Sequence, residues 1–294
     1  MTGFIQTLVN GLLLGGVYAL AASGLTLVFG VMNVINLAHG AMLILAAYLT
    51  FTIWSHTGFD PILSILITTP IMFGFGWLLY RLAIRRLAGT AASMSVLLTF
   101  AIALMIEGSL GLVYQGSFKS VTPSYFDTSI HVGPIYVATA RLYACCTALV
   151  IILGLFLVLT KTWVGRAIRA SAQNPDVARL VGIDVKSVAA FAFALGAATT
   201  GAGGSLISVL YPFLPASHYQ WISRLLGVIV LGGMGSLPGA VIGALAIGVG
   251  ETMTTAYLSP SWQTAVPYVV IFVVLLVRPQ GILGSRTRQD VVAV

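Results

Sequence analysis

Long apolar runs, separated by short polar segments, dominate this chain. Runs of spanning or near-spanning length lie at about 5–30, 34–54, 61–80, 94–114, 142–160, 187–210 and 238–258, with two shorter ones at 222–233 and 265–278. A hydrocarbon core about 30 Å thick needs about 20 apolar residues per helix. The pattern therefore predicts an all-α, polytopic transmembrane helix bundle of about eight or nine spans, some of them discontinuous.

The composition agrees with a membrane protein. Hydrophobic residues make up 59% of the 294 residues and charged residues only 7%, whereas soluble domains carry roughly 25% charged residues. The net charge of +7 comes from short loop clusters and not from a continuous basic face, so nucleic acid is not an expected partner. We expect a multi-pass protein of the bacterial inner (plasma) membrane.

Lysine and arginine predict the orientation of the bundle. These residues favour cytoplasmic loops, and most of them lie within 81–86, 161–186 and the tail from Arg278 through Arg286 to Arg288. All three segments share one side if the run 222–233 crosses the membrane completely. We therefore predict nine crossings, with the N-terminus outside; a re-entrant 222–233 would instead place the tail on the other side.

The polar segment GRAIRASAQNPDVARLVGIDVKS, residues 165–187, carries clear helix signals. Asn174 suits an N-cap, Pro175 the first helical position, and Asp176 the positive end of the helix. Gly182 suits the left-handed position that ends a helix. The residues predict a helix of about seven residues, too short to be stable alone. Two interpretations fit these residues equally well: a docking site for a partner, or a solvated helical turn on the membrane surface.

A predicted helix break lies between the first two spans, in the run VMNVINLAHG at residues 31–40. Its Asn33, Asn36, His39 and Gly40 would allow a broken helix to present polar groups to a substrate cavity. A tight interhelical turn with capping side chains is the simpler explanation.

A second break and one carboxylate complete the candidates for the translocation pathway. Gly232, Gly233 and Gly235 precede Pro238, and they fit a hinge or a close turn between packed helices equally well. Glu107 lies deep in the run 94–114, where an ionisable group needs a cavity, a partner or a proton. It is the best candidate for a functional carboxylate, although a structural hydrogen bond would also satisfy it.

Three segments carry a resemblance to a known family: residues 10–49, 165–184, and 231–248 with the LVRPQGILG sequence that follows later. In this order they resemble the H-type permease subunit of branched-chain amino acid ABC importers. The resemblance implies an ABC-importer permease fold, with residues 1–294 as one transmembrane domain and a cytoplasmic coupling loop at about 161–187. The residues implied in coupling to an ATPase are Arg166, Arg169, Asn174, Pro175, Asp176, Arg179 and Gly182.

The resemblance also implies partners and a function. The chain would form half of the translocation pathway for branched-chain amino acids, beside a second related permease, two ATPases and an extracytoplasmic substrate-binding protein. ATP and Mg²⁺ would bind to the ATPases, and this chain would hold no cofactor or metal. Permeases for urea, short amides or other small polar solutes are related, and a passive channel or secondary transporter is a further alternative.

The sequence itself argues against catalysis by this chain. A P-loop needs a lysine directly after a glycine, and Lys119, Lys161 and Lys186 all follow other residues. HExxH and GxSxG motifs do not occur either. We expect no catalytic residues, and ATP hydrolysis in separate subunits.

Overall fold

The computed structural model describes residues 2–87 and 92–284. Within these ranges the chain forms eleven α-helices and one β-hairpin, which confirms the predicted all-α bundle. The helices are α1 (Thr2–Met32), α2 (Ala38–Thr57), α3 (Ile65–Leu82), α4 (Ala92–Tyr114), α5 (Thr139–Lys161), α6 (Trp163–Gln173), α7 (Pro175–Leu180), α8 (Val185–Leu210), α9 (His218–Gly232), α10 (Leu237–Tyr257) and α11 (Val266–Val277). The hairpin pairs β1 (Ser129–Val132) with β2 (Ile135–Ala138) in antiparallel register.

Eight helical segments of the described residues are long and apolar enough to cross a membrane. They are Gly3–Met32, Ala38–Thr57, Ile65–Arg86, Ser93–Tyr114, Thr139–Lys161, Val185–Leu210, Leu237–Tyr257 and Pro260–Val277. The last of these joins a 3₁₀ turn to the twelve residues of α11.

Helices α1 and α8 form the centre of the bundle. Small residues let their backbones approach closely, as is usual between helices in lipid. Gly24 lies against Gly196 and Thr199, and Gly203 lies against Ala21. Because residue numbers rise along one helix as they fall along the other, α1 and α8 are antiparallel.

The basic segments meet at one end of the bundle. Helix α3 is antiparallel to α8, since Thr68 bonds Ser205 and the ring of Tyr80 lies 6.1 Å from that of Phe193. The end of α3 therefore lies beside the start of α8. Helix α10 is also antiparallel to α1, and residues 281–284 return to the end of α9. This arrangement agrees with the predicted sidedness; Arg286 and Arg288 lie outside the described residues.

The ninth predicted crossing requires a correction. The apolar run 222–233 belongs to α9, which begins earlier, at His218, and has only 15 residues. At 1.5 Å per residue its length is about 22 Å, less than a bilayer core of about 30 Å. Helices α8 and α10 nevertheless run in the same direction against α1. The chain therefore returns between them through residues 211–217 and α9 together, and not through a full-length spanning helix.

Candidate functional site

The predicted cytoplasmic helix is present as α7, six residues long. The Asn174 side chain accepts hydrogen bonds from the amides of Asp176 and Val177, at 3.1 and 3.2 Å, and Pro175 occupies the first turn. Gly182 has a φ of +83°. Its N–H donates to the Arg179 carbonyl, which is one of the two bonds of a Schellman C-cap.

Three apolar side chains of the α7 region face away from the bundle. Val177, Leu180 and Val181 are 53%, 85% and 72% exposed, whereas Ala178 is buried. The Ala178 carbonyl accepts from the N–H of Ile183 at 3.0 Å, the second Schellman bond. The helix is therefore fixed at both ends and presents an uncovered apolar face, which we call the α7 face (Val177, Leu180 and Val181).

The three arginines of the coupling loop are all exposed, and they have different partners. Arg179 pairs with Asp176 at 2.9 Å, and both are solvent exposed, so the pair contributes little stability. Arg166 is exposed as well, and the Arg169 guanidinium donates to the Leu159 carbonyl. Helix α6 holds the loop to the bundle by burying Ala167 and Ile168 beside α1 and α8.

Asp184 ends the coupling loop and caps α8. Its carboxylate accepts from the Lys186 amide at 3.1 Å and from the Ser187 hydroxyl at 2.6 Å. The hydrogen bond from Ser187 holds the pKa of this exposed carboxyl below its ordinary value. The cap therefore stays ionised at all physiological pH values.

The predicted break between α1 and α2 re-enters the bundle. Asn33 adopts a left-handed φ of +51°, and the buried Asn36 side chain accepts from the Ala38 amide at 3.1 Å. His39 is fully buried, and its Nε2 lies 3.0 Å from the Ala21 carbonyl oxygen. Ala21 lies eleven residues, about 16 Å of helix, before the end of α1. Helix α2 therefore begins beside the middle of α1 and not at the end of the bundle.

Gly40 brings the start of α2 against the start of α9. A Cβ atom at this position would lie 2.7 Å from the His218 carbonyl oxygen and 2.9 Å from the Ile222 Cβ. Only glycine allows this approach without displacement. The two helices that begin inside the bundle are thus packed on each other.

The glycine-rich break between α9 and α10 is a closely packed turn. Gly232 lies against Gly239, Gly233 against Gly284, and Gly235 against Gly30 at the end of α1. Gly233 and Gly235 both have positive φ, at +101° and +83°. The carbonyls of residues 231 and 232 also accept hydrogen bonds from residues 282 and 283. A hinge role for this turn stays a prediction.

One cavity of about 280 Å³ joins this turn to the coupling loop. Gly235 and Ser236 contribute from the turn, Arg169 from α6, and Thr26 from α1. Two regions singled out from the sequence, the coupling loop and the second glycine break, therefore line the same space.

Glu107 has a partner at the start of α9. Its Oε2 lies 2.9 Å from Nε2 of His218, and the exposed fractions are 24% for Glu107 and 2% for His218. His218 stacks at 4.0 Å on the ring of Tyr219, which is 41% exposed. The carboxylate thus lies beside the first residues of α9, where the helix dipole favours a negative charge.

A second ionic cluster lies inside the membrane, and its pairing was not predicted from the sequence. Arg224 of α9 donates from Nε to Glu251 of α10 at 2.6 Å, and the two side chains are 7% and 0% exposed. Glu251 also accepts from the Tyr18 hydroxyl at 2.7 Å and from the Gln263 amide at 3.3 Å. The guanidinium lies 4.7 Å from the ring of Trp221, a cation–π distance.

The chain resembles known transport proteins over most of its length. Residues 7–275 match the family model described as "Branched-chain amino acid transport system / permease component". The chain belongs to this family. It is 30% identical to the high-affinity branched-chain amino acid transport system permease protein LivH of Salmonella typhimurium and of Escherichia coli, and 28% identical to BraD, the protein of the same description in Pseudomonas aeruginosa. Each alignment covers 96% of both chains. No solved structure matches it.

Family membership and the eight candidate spans together make this permease a multi-pass inner-membrane protein. In the described part of the chain, no group of three His, Cys, Asp or Glu residues could hold a metal ion. Two of the residues predicted for the pathway, Gly40 and Glu107, meet at His218 at the start of α9, while Gly232–Gly235 lies at the other end of that helix. Asn33, Asn36 and His39 belong to the break between α1 and α2, where His39 contacts α1.

Sequence signals for the missed ion pair did exist. Arg224 interrupts one apolar run and Glu251 another, and ionisable residues inside a membrane usually pair with each other. The pairing across 27 positions could not be read from either run alone.

Proposed function

We propose that this permease is the transmembrane subunit of an ATP-driven importer of branched-chain amino acids and forms half of the translocation pathway. The substrate is inferred from its relatives LivH and BraD, which are branched-chain amino acid transport permeases. The proposed assembly adds a second related permease, two ATPase subunits that bind ATP and Mg²⁺, and an extracytoplasmic substrate-binding protein.

The α7 face is the observation that supports this proposal best. It presents three apolar side chains on a rigidly capped helix at the end of the bundle where the basic segments gather. An isolated six-residue helix is unstable, and uncovered apolar side chains on such a helix fit a protein groove. An ATPase surface that receives the α7 face could transmit its movement through α6 into the bundle. Arg166, Arg169 and Arg179 would flank that contact.

A charge placed on the α7 face tests the proposal. Leu180→Asp alters a side chain that is 85% exposed, so the permease should still fold. An aspartate buried in the subunit contact without a partner costs several kcal/mol, and we expect at least about a tenfold loss of ATPase recovery and of leucine uptake. Leu180→Met is the matched control because it keeps the apolar contact, and it should retain both activities.

The measurements are co-purification of ATPase subunits in mild detergent and ATP-dependent leucine uptake by the assembled complex in vesicles containing binding protein. Normal coupling in Leu180→Asp would contradict the docking role. Full-rate downhill leucine movement by the permease alone would favour the passive alternative.

A further inference from the structure

Two of the acidic residues lie within the candidate spans, and their surroundings differ. Glu251 is fully buried and neutralised by Arg224. Glu107 is 24% exposed and has only a histidine as a possible cationic partner among the described residues. A carboxylate open to hydrocarbon at this depth would be strongly unfavourable. The exposed part of Glu107 therefore needs a polar environment that lipid does not provide.

The edge of α4 that carries Glu107 opens to the outside of this subunit. A Cβ atom built at Gly108 or at Gly111 would meet no atom within 4 Å. Gly111 follows Glu107 by one helical turn and so shares its side of α4. The part-exposed carboxylate is thus accessible from outside the bundle beside the open space at Gly111.

Groups of α9 complement this carboxylate. Tyr219 directly follows His218, the partner of Glu107, and is 41% exposed, and an exposed aromatic ring attracts ammonium groups. The polar Gln220 and Ser223 continue the exposed side of α9 from there. Helix α2, which begins inside the bundle, packs against both α4 and α9. Five residues of α4 and of the start of α9 are exposed or part-exposed here, and we call this set the α4/α9 groove (Glu107, Gly111, Tyr219, Gln220 and Ser223).

We propose that the α4/α9 groove borders the translocation pathway and that Glu107 binds the α-ammonium group of the transported amino acid. This inference rests on the proposed function and assigns a residue to substrate recognition within it. The zwitterion carries one positive group, and Glu107 is the accessible negative group at membrane depth in the described chain. The apolar side chain of the bound amino acid would lie along the adjoining small and aliphatic residues of α4.

A cysteine at Gly111 reports on water and charge in the groove. The background replaces Cys145 and Cys146 by alanine, and the assembled complex is treated with a cationic and an anionic methanethiosulfonate reagent of similar size. We expect both reagents to react with the Gly111→Cys variant, the cationic one about tenfold faster because of the nearby carboxylate. Adding Glu107→Gln should bring the two rates close together. Leu153→Cys on the exposed side of α5 is the lipid-facing control and should remain unreactive.

Glu107→Gln separates charge from a structural hydrogen bond, because the amide oxygen can still accept from His218. In the full complex we expect this variant to assemble with its ATPase subunits, while its leucine uptake falls about tenfold or more. Leucine with binding protein should also slow labelling of Gly111→Cys by the cationic reagent.

Three results would each overturn the inference: no reaction at Gly111→Cys, an unchanged charge preference after Glu107→Gln, or normal leucine uptake by Glu107→Gln. A complex that imports leucine normally in all variants would refute the role of Glu107 and leave the proposed function intact. A wild-type complex that never imports leucine would refute the proposed function itself, while the labelling rates would still show whether the groove is aqueous and negatively charged.

Discussion

Removing Arg224 from its buried pair with Glu251 should destabilise the permease more than removing both charges. In Arg224→Met the Glu251 carboxylate keeps its bonds from Tyr18 and Gln263 but loses its only cationic partner within the described chain. In Glu251→Gln the guanidinium stays buried beside Trp221, with no negative partner among the described residues.

The structure sets the size of these effects. Loss of one partner of a buried ion pair costs about 3–5 kcal/mol. Cation–π contacts of Arg224 with Trp221 at 4.7 Å and Tyr18 at 5.3 Å remain in Glu251→Gln, and each is worth up to about 2 kcal/mol. We therefore expect about 3 kcal/mol for Glu251→Gln and more for Arg224→Met. The double variant leaves no unpaired charge and should be more stable than Arg224→Met by about 2 kcal/mol.

Thermal unfolding of the purified complex in detergent measures these differences. A loss of 3 kcal/mol should lower the midpoint by at least about 6 °C for a chain of this size. Ser223→Ala is the control, because it removes a part-exposed hydroxyl on the neighbouring residue that accepts from Tyr268 at 2.9 Å. If the double variant were as unstable as the sum of the two single variants, the two residues would be independent and the reasoning would fail.

Two further predictions concern backbone positions. Gly40→Ala should lose about 1–3 kcal/mol of stability because its Cβ would overlap His218 and Ile222. The control Gly154→Ala places its Cβ in open space and should unfold like the wild type. Equal unfolding midpoints for both variants would contradict the close contact between α2 and α9. Gly182→Ala places a side chain at a φ of +83° and should lose about 1–2 kcal/mol of α7 stability. We expect faster proteolysis within residues 175–184 and less leucine imported per ATP. Unaltered cleavage would show that the cap tolerates alanine.

Local signals in the sequence were sufficient to predict α7. Asn174, Pro175 and Gly182 act on atoms within a few residues of themselves, so their roles in capping do not depend on the rest of the bundle. The apolar runs likewise predicted the spanning helices, because the bilayer thickness fixes their length.

Features set by distant contacts could not be predicted in the same way. Helix α9 starts at His218, in a polar stretch that lies outside the apolar run 222–233. The His218 side chain contacts Glu107, 111 positions away. The sequence likewise predicted a break at residues 31–40 but not its depth, which the contact between His39 and Ala21 determines. In each case the decisive partner belongs to another helix.

The pairing of residues 282 and 283 with the end of α9 also bears on the order of membrane insertion. The carbonyls of Leu231 and Gly232 receive their hydrogen bonds from amides that are synthesised about fifty residues later. During translation α9 must therefore wait, with its last turn incompletely bonded, until α10 and α11 have entered the bilayer. A chaperone or the insertion machinery that shields polar backbone groups would have its longest task at this turn, and a chain interrupted before residue 281 should be a preferred substrate for membrane quality-control proteases.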